Sequence, residues 1–329
     1  ANSISISEEL NRVACEIKQP FLDWIAAIGS RQADKLNWWA SKLATKSPLQ
    51  TDFFLLVCYH QLFQSWVAEG PRSRIRIVVV EDPWLRSLLQ RDFTASGAAC
   101  LSSKYDVAAA SAYWLVRVPF VIGYVIAFSV WAKLLAGLVL PRSPSVGSEP
   151  IADPRAVLLY TWIEPSCFRS SGRLADVYTG RLEEILVKQG ETVVRLTPLA
   201  IPAKFLWRLR SAVRELVATP RYLGLGDILR AAGSRFRFDD INVVAPLLSR
   251  DYSPLLARER LREWGHPAFA GYQLSYFAMR GVARRHGSHL KCVIYPFENQ
   301  PWEKMLCLAW RHEAPHVRLI GYQHASIPT

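Results

Sequence analysis

The sequence predicts a doubly wound α/β fold, in which helices cover both faces of a parallel sheet. Short apolar runs alternate with longer segments of helical periodicity in the second half of the chain, and strands that alternate with helices build parallel sheets. The chain has 329 residues, of which 50% are hydrophobic and 21% are charged. It is therefore long enough for one large α/β domain or two domains, and too apolar for wholesale disorder.

Residues 1–112 are predicted to form a helical region followed by one strand–helix unit. Apolar residues recur at helical spacing over the first seventy residues, and a glycine ends the last of these segments. The run IRIVVVED at 75–82 then predicts a buried strand. Asp82 stands where it can cap a helix that begins at Pro83.

Residues 113–142 form a hydrophobic insertion. Only Lys133 interrupts the uncharged run 118–140, which as a helix would be about 34 Å long, enough to cross a bilayer. A single span would place the strands before and after it on opposite sides of the membrane. We therefore expect a helix or helical hairpin in the membrane interface, with a buried core helix as the alternative. The predicted membrane contacts are aromatic and basic: Trp114, Arg117, Phe120, Trp131 and Lys133.

Residues 143–329 are predicted to be the α/β region, entered through a linker rich in Pro, Ser and Gly at 142–154. The expected strands lie at 156–162, 192–196, 292–295 and 317–322. The expected helices lie near 174–189, 203–217, 226–232, 254–286 and 302–312.

Polar clusters follow three of these strands, in the stretches TWIEPS, PFENQPWEK and YQHAS. Ligand sites of parallel sheets lie beyond the carboxyl ends of the strands, so we expect Glu164, Glu298 and His324 to converge in one cleft. A carboxylate can accept a proton from a sugar hydroxyl, and a histidine can do acid–base work or contact phosphate. Asn299 and Gln323 would be hydrogen-bonding neighbours.

Part of the second cluster has a plainer explanation. Glu298, Asn299 and Glu303 could simply cap the helix that starts near Trp302, with Pro301 in its first turn. Capping does not account for YQHAS, so it leaves the predicted cleft in place. For Glu303, capping alone and a role in the cleft are equal alternatives.

A further candidate site lies in SGRLADVYTGRLEEIL, which places Arg173, Asp176 and Tyr178 at the start of a helix. Helix N-termini with a nearby arginine suit anions or hydroxyl-rich ligands. The alternative is an ordinary first turn with solvated charges.

The formal net charge of +12 favours anionic partners, namely nucleic acid, acidic lipid or phosphorylated substrates. We expect no nucleic-acid partner, because no binding motif occurs and the basic residues alternate with apolar helix faces, as in 203–221. That helix would have a solvated basic face or contact anionic lipid. No metal is expected, because the six cysteines include no C-x-x-C pair and the seven histidines have no metal-ligand spacing.

Three segments carry a family resemblance: LNWWASKLATKSPL, TWIEPSCFRSSGRLADVYTGRLEEILVKQG and YPFENQPWEKMLCLAW…VRLIGYQHASIPT. They resemble bacterial surface-carbohydrate biosynthesis proteins encoded with O-antigen and capsule genes, which look like glycosyltransferases of the GT-B architecture with two Rossmann-like domains. The positions that match the motifs are Glu298, Asn299, Gln300, Trp302, Glu303, Lys304, Gln323 and His324.

The resemblance implies transfer of a sugar from a nucleotide-sugar donor, CMP-activated sugars included, to a lipid-linked or growing glycan. It implies no cofactor and a peripheral location on the cytoplasmic face of the bacterial inner membrane, whose anionic surface would be a partner. Polyol-phosphate transfer on the same fold is one alternative. A non-catalytic docking module that recruits other polysaccharide-assembly enzymes is another.

In GT-B enzymes the N-terminal domain holds the acceptor and the C-terminal domain binds most of the donor. Because the sequence stops at Thr329, soon after the last predicted strand, we expect a second nucleotide-binding domain beyond it. The clusters named above would then line the acceptor side of the cleft.

Overall fold

A computed structural model describes residues 6–68, 79–93, 105–139, 156–168, 176, 178–198, 216–234 and 246–323. The chain divides into two compact units. The first comprises Ala1–Val121 and Arg237–Phe269, and the second comprises Ile122–Phe236 and Ala270–Thr329.

The helices and strands of the described ranges follow in chain order. The helices are α1 (Ser7–Arg31), α2 (Leu36–Ala40), α3 (Phe53–Ala68), α4 (Pro83–Phe93), α5 (Tyr105–Val139), α6 (Leu182–Lys188), α7 (Leu225–Gly233), α8 (Ser253–Trp264), α9 (Pro267–His286) and α10 (Pro301–Glu313). The strands are β1 (Ala156–Tyr160), β2 (Val193–Thr197), β3 (Leu216–Ala218), β4 (Leu290–Pro296) and β5 (Arg318–Tyr322).

The first unit is helical in its described part, as predicted for its first seventy residues. One face of α1 is buried at helical spacing, and its aromatic residues meet α3. Trp24 stacks on Phe53 with ring centroids 6.0 Å apart, and Phe21 lies 6.0 Å from the same ring. This aromatic cluster forms the centre of the unit's core.

The predicted strand at 75–82 is wrong where the structure describes it. Residues 79–82 have no regular structure and Val79 is 85% exposed, while 75–78 lie outside the described residues. The predicted cap is confirmed, because Asp82 Oδ1 accepts the N–H groups of Trp84 and Leu85 at 3.0 and 2.9 Å. Its Oδ2 accepts a hydrogen bond from Arg258 Nε at 2.6 Å. Both carboxylate oxygens of Asp82 therefore stabilise the start of α4.

The second unit contains a five-stranded sheet in the order β3-β2-β1-β4-β5, with every pairing parallel. All five residues of β1 are buried, which is typical of a central strand covered on both faces. On one face Leu158 and Val293 pack with Trp310 of α10. On the other, Leu159 and its neighbours pack against Leu182 and Leu186 of α6. The α/β prediction with a parallel sheet is confirmed.

Several predicted helices differ from the observed ones. The predicted helix 203–217 lies mostly outside the described residues, and its end is wrong, because Val217 is buried in edge strand β3, where it pairs with Leu196. The predicted helix 254–286 is two helices, because Pro267 cannot continue the hydrogen bonding of α8 and instead begins α9. Of the helix expected at 174–189, α6 is the helical part among the described residues, and 174, 175 and 177 lie outside them. Over its described residues, 113–139, the hydrophobic segment is one continuous helix, α5.

Candidate functional site

The candidate site lies at the carboxyl ends of β1 and β4. These strands are neighbours, yet the chain leaves β1 towards β2 on one side and returns through β4 on the other. Such a change of direction opens a crevice between the two strand ends, where open α/β sheets bind their ligands. Residues 161–167 and 297–300 line it. Gln323 follows β5 at the same edge, where Tyr322 O accepts the N–H of Phe297 at 2.9 Å.

The loop after β4 is shaped by the buried carboxylate of Glu303. Its Oε1 accepts the N–H groups of Glu298 and Gln300 at 2.8 and 3.1 Å, and its Oε2 accepts that of Asn299 at 3.1 Å. Asn299 has φ = 58°, a left-handed conformation that asparagine tolerates better than most residues. Gln300 and Pro301 then open α10. The capping alternative is therefore confirmed for Glu303.

Burial raises the pKa of Glu303 above its ordinary value, although the three backbone N–H groups oppose this shift. Glu303 therefore has a structural role in the loop after β4. In the same loop the side chain of Glu298 is exposed.

Glu164, after β1, is joined to Tyr178. The tyrosine hydroxyl donates to Glu164 Oε1 at 2.6 Å. Partial burial, this hydrogen bond and the negative charges of Glu164 and Glu298 all raise the pKa of Tyr178 above its ordinary value, so its hydroxyl stays a donor. The charge of Glu298 acts on the same hydroxyl, so its carboxylate lies within electrostatic reach of Tyr178.

Asp176 holds Tyr178 in position. Its Oδ1 accepts the N–H groups of Tyr178 at 2.8 Å and of Thr179 at 3.1 Å, as in an Asx turn. Asp176 thus supports the site through Tyr178. Arg173, predicted beside it, lies outside the described residues.

An aromatic ladder connects the site to the core of the sheet. Trp302 stacks on Tyr160 with centroids 5.0 Å apart, and Trp162 meets the Trp302 ring edge-on at 4.5 Å. Trp162 also lies 5.7 Å from the ring of Tyr178. Trp302 is only 8% exposed, so it packs under the site, whereas Trp162 is half-buried and lies beside Tyr178.

Sequence reasoning missed the role of Trp162, although it stands in the TWIEPS cluster. Its position two residues past β1 was the available signal. Of the remaining predicted residues, Asn299, Gln300 and Lys304 are half-buried and Gln323 is exposed, whereas His324 lies outside the described residues.

The predicted membrane-contact residues divide into two groups. In the first unit Trp114 lies against Gly265, and Arg117 donates to the Gly265 carbonyl at 3.4 Å and lies over the Trp114 ring. In the second unit Lys133 Nζ donates to a backbone carbonyl at 2.5 Å. These three make contacts within the protein, whereas Phe120 and Trp131 are exposed.

Helix α5 is long and apolar enough to cross a membrane by length and composition alone, and 28% of its most apolar window is buried against the protein. Among the residues that the structure describes, no group of three or more His, Cys, Asp or Glu side chains could hold a metal ion.

Comparisons of the chain with protein-family models, with characterised proteins and with solved structures give no match. The resemblance to surface-carbohydrate proteins therefore stays a prediction, and the chemistry of the site rests on its own residues and geometry.

Proposed function

We propose that this chain belongs to a glycosyltransferase of GT-B type, which transfers a sugar from a nucleotide-sugar donor to a lipid-linked or growing surface glycan. One observation carries the proposal: Glu164 and Glu298 follow the neighbouring parallel strands β1 and β4 at the switch point of the sheet, where Glu164 accepts the hydroxyl of Tyr178. Carboxylates, a hydroxyl donor and an adjacent tryptophan, Trp162, are groups that suit the binding of sugar hydroxyls and of the apolar face of a sugar ring.

In the proposed reaction the acceptor hydroxyl oxygen forms a bond to the anomeric carbon of the donor sugar. The bond between that carbon and the phosphate oxygen breaks, and its electron pair leaves with the nucleotide phosphate. The acceptor proton passes to a carboxylate. We assign this proton to Glu298, because Glu164 already accepts the hydroxyl of Tyr178.

The Glu164–Tyr178 pair then has a binding role. A carboxylate oriented by a tyrosine can accept hydrogen bonds from sugar hydroxyls through its remaining lone pairs. Ser166 Oγ, at 3.4 Å from Glu164 Oε2, supports the same orientation. Positive charge for the departing phosphate is assigned to Lys304, in the first turn of α10, and to His324.

The test is sugar transfer by the native protein with pooled nucleotide sugars and a lipid-linked acceptor. Glu298→Gln should lower kcat about a hundredfold or more, since it removes the base. Tyr178→Phe should raise KM for the acceptor with a smaller change in kcat. Glu184→Gln is the matched control, because Glu184 is an exposed carboxylate on α6, and it should be fully active.

Full activity of both Glu298→Gln and Glu164→Gln would refute the proposed site. Transfer of a polyol phosphate instead of a sugar would be compatible with the same fold and would identify a different class of substrate. Absence of turnover with every donor would favour the non-catalytic docking module.

A further inference from the structure

The exposed side of α5 is the largest feature that the proposed cleft does not use. Within the second unit its large exposed apolar side chains, among the described residues, are Tyr124, Phe128, Trp131, Leu134 and Leu138, each between 41% and 77% exposed. We call these five side chains the outer face. At about 100° per residue they fall within an arc of about 120°, and they extend over about 21 Å of helix.

The opposite side of the same helical segment is packed against the protein. Val125, Ser129, Ala132 and Ala136 are buried, and they lie on an arc centred about 130° from the outer face. The helix therefore has one side that is already covered and one apolar side that is open.

Lys133 fastens α5 to the segment that precedes α7. Its Nζ donates to the carbonyls of Leu223 at 2.5 Å and Arg221 at 3.4 Å. Two residues after Leu223, α7 begins with the exposed Leu225 and continues to the exposed Leu229. More apolar surface thus follows directly on the fastened segment.

We propose that the outer face of α5 inserts into the surface of an anionic lipid bilayer, with the helix lying in the plane of the membrane. The five side chains carry no charge, and their polar atoms are the Tyr124 hydroxyl and the Trp131 N–H. A protein interface makes about one hydrogen bond per 100–200 Å², whereas hydrocarbon requires none. Tyrosine and tryptophan are the aromatic residues that membrane interfaces favour.

Charge complementarity favours anionic lipid. The chain has a net charge of +12, and the second unit carries the exposed Arg230 on α7, the helix that follows the segment contacted by Lys133. Basic side chains beside an inserted apolar surface bind acidic headgroups.

The same contacts argue against a transmembrane span. In a span, Lys133, Arg221 and the turn Thr219–Tyr222 would enter the hydrocarbon together with the helix. Charged side chains and irregular backbone are strongly disfavoured there. Insertion of one face, to a depth of about 5–10 Å, leaves these groups at the headgroups or in water.

This inference deepens the proposed function, since a lipid-linked acceptor is presented at a membrane. Its test measures binding without donor or acceptor, so it can fail while transfer to a soluble acceptor persists, and the converse also holds.

The test is flotation of the full chain with phosphatidylcholine vesicles that contain about one-third phosphatidylglycerol. The native protein should float with the vesicles. For the double variant Phe128→Ser and Leu134→Ser, the fraction of protein bound to vesicles should be at least about tenfold smaller. The matched control is Ile185→Ser with Val187→Ser, which removes two similarly exposed apolar side chains from α6 and should float like the native protein. Pure phosphatidylcholine should bind the native protein more weakly.

Equal flotation of the outer-face and native proteins would overturn the proposal, and so would a native protein that binds no vesicle. Light scattering during gel filtration tests the competing explanation, in which the outer face is a contact between two copies of the chain. A native dimer that becomes a monomer in the outer-face variant, together with no vesicle binding, would support that explanation and overturn the proposal. Circular dichroism checks that each variant is folded, and Phe128→Ala with Leu134→Ala replaces the serine pair if it is not.

Discussion

Both units of this chain contain clusters of carboxylates, and the two clusters differ in what surrounds them. In the first unit Asp52, Asp82 and Glu259 surround the guanidinium of Arg258, whose side chain is 6% exposed. In the second unit Glu164 and Glu298 are exposed at the carboxyl ends of β1 and β4, and Glu164 accepts the hydroxyl of Tyr178. A carboxylate neutralised in the interior stabilises the fold, whereas one held open at a strand end is available to a ligand.

The pKa of Asp52 reflects the structural role of the first cluster. Burial alone would raise it, but hydrogen bonds and charge from Arg258 and Arg262 outweigh burial and hold the pKa below its ordinary value. The carboxylate is therefore ionised and occupied, which leaves it no role in proton transfer.

The largest expected effect is that of Arg258→Met. The variant removes the buried guanidinium that pairs with the mostly buried carboxylates of Asp82 and Glu259, which costs about 4 kcal/mol of unfolding free energy. Urea unfolding measures it. The matched control is Arg12→Met, which breaks the exposed pair with Glu16 and should change stability by no more than about 0.5 kcal/mol. If the two variants were equally stable, the structural role assigned to the carboxylates around Arg258 would be wrong.

Glu303 is a buried carboxylate of the second unit with a structural role, since it accepts three backbone N–H groups. Glu303→Ala leaves the N–H groups of Glu298, Asn299 and Gln300 without their acceptor, and we expect a loss of about 3 kcal/mol in urea unfolding. Glu303→Gln keeps one oxygen and should lose less. If alanine cost no stability, the capping role of Glu303 would be wrong.

A third effect concerns the first unit at acidic pH. Burial lowers the pKa of His60 to about 4, against the opposing charge of Asp92. Between the ordinary value near 6.5 and this value, the unfolded chain binds a proton that the folded chain does not. This contribution to stability is therefore complete above pH 6.5 and is lost as the pH falls towards 4, with a loss of about 2 kcal/mol at pH 5.

The contribution of His60 can be isolated with His60→Gln, because glutamine does not titrate. The difference in unfolding free energy between native and variant proteins should shrink by that amount from pH 7 to pH 5. A difference that stays constant with pH would show that His60 is not the group responsible.

The smallest expected effect on stability belongs to the site itself. Glu164→Gln and Glu298→Gln should each change the unfolding free energy by no more than about 0.5 kcal/mol, since both side chains are exposed. If transfer activity is lost while stability is kept, the contrast between the two clusters is sharpened. A large loss of stability in either variant would place that carboxylate with Glu303 as a structural residue.

The parts of the fold that could be predicted from sequence are those with a strong local signal. The runs that became β1 and β4 are continuous and apolar, and the cap at Asp82 has a local sequence pattern. β3 was missed because a three-residue edge strand has too few residues for a period, and Val217 also fits the apolar arc of a helix. The break between α8 and α9 had a local signal in Pro267 that the long apolar pattern obscured.

The candidate site divides in the same way. That polar residues follow β1 and β4 could be seen in the sequence. The sequence could not show that Trp302 is buried under Trp162 or that Lys133 contacts backbone carbonyls. Each of these contacts depends on a partner distant in the chain.

By itself, the sequence determined the positions of β1, β2, β4 and β5 and their parallel arrangement, and through the parallel sheet the edge on which Glu164 and Glu298 lie. The reason is that hydrophobic periodicity and turn chemistry act between residues close in the chain. Only the tertiary structure decided which carboxylates are neutralised and which are open, and which side of α5 is covered. Both depend on burial and on partners that folding brings together from distant positions, such as Arg258 with Asp52 and Lys133 with Leu223.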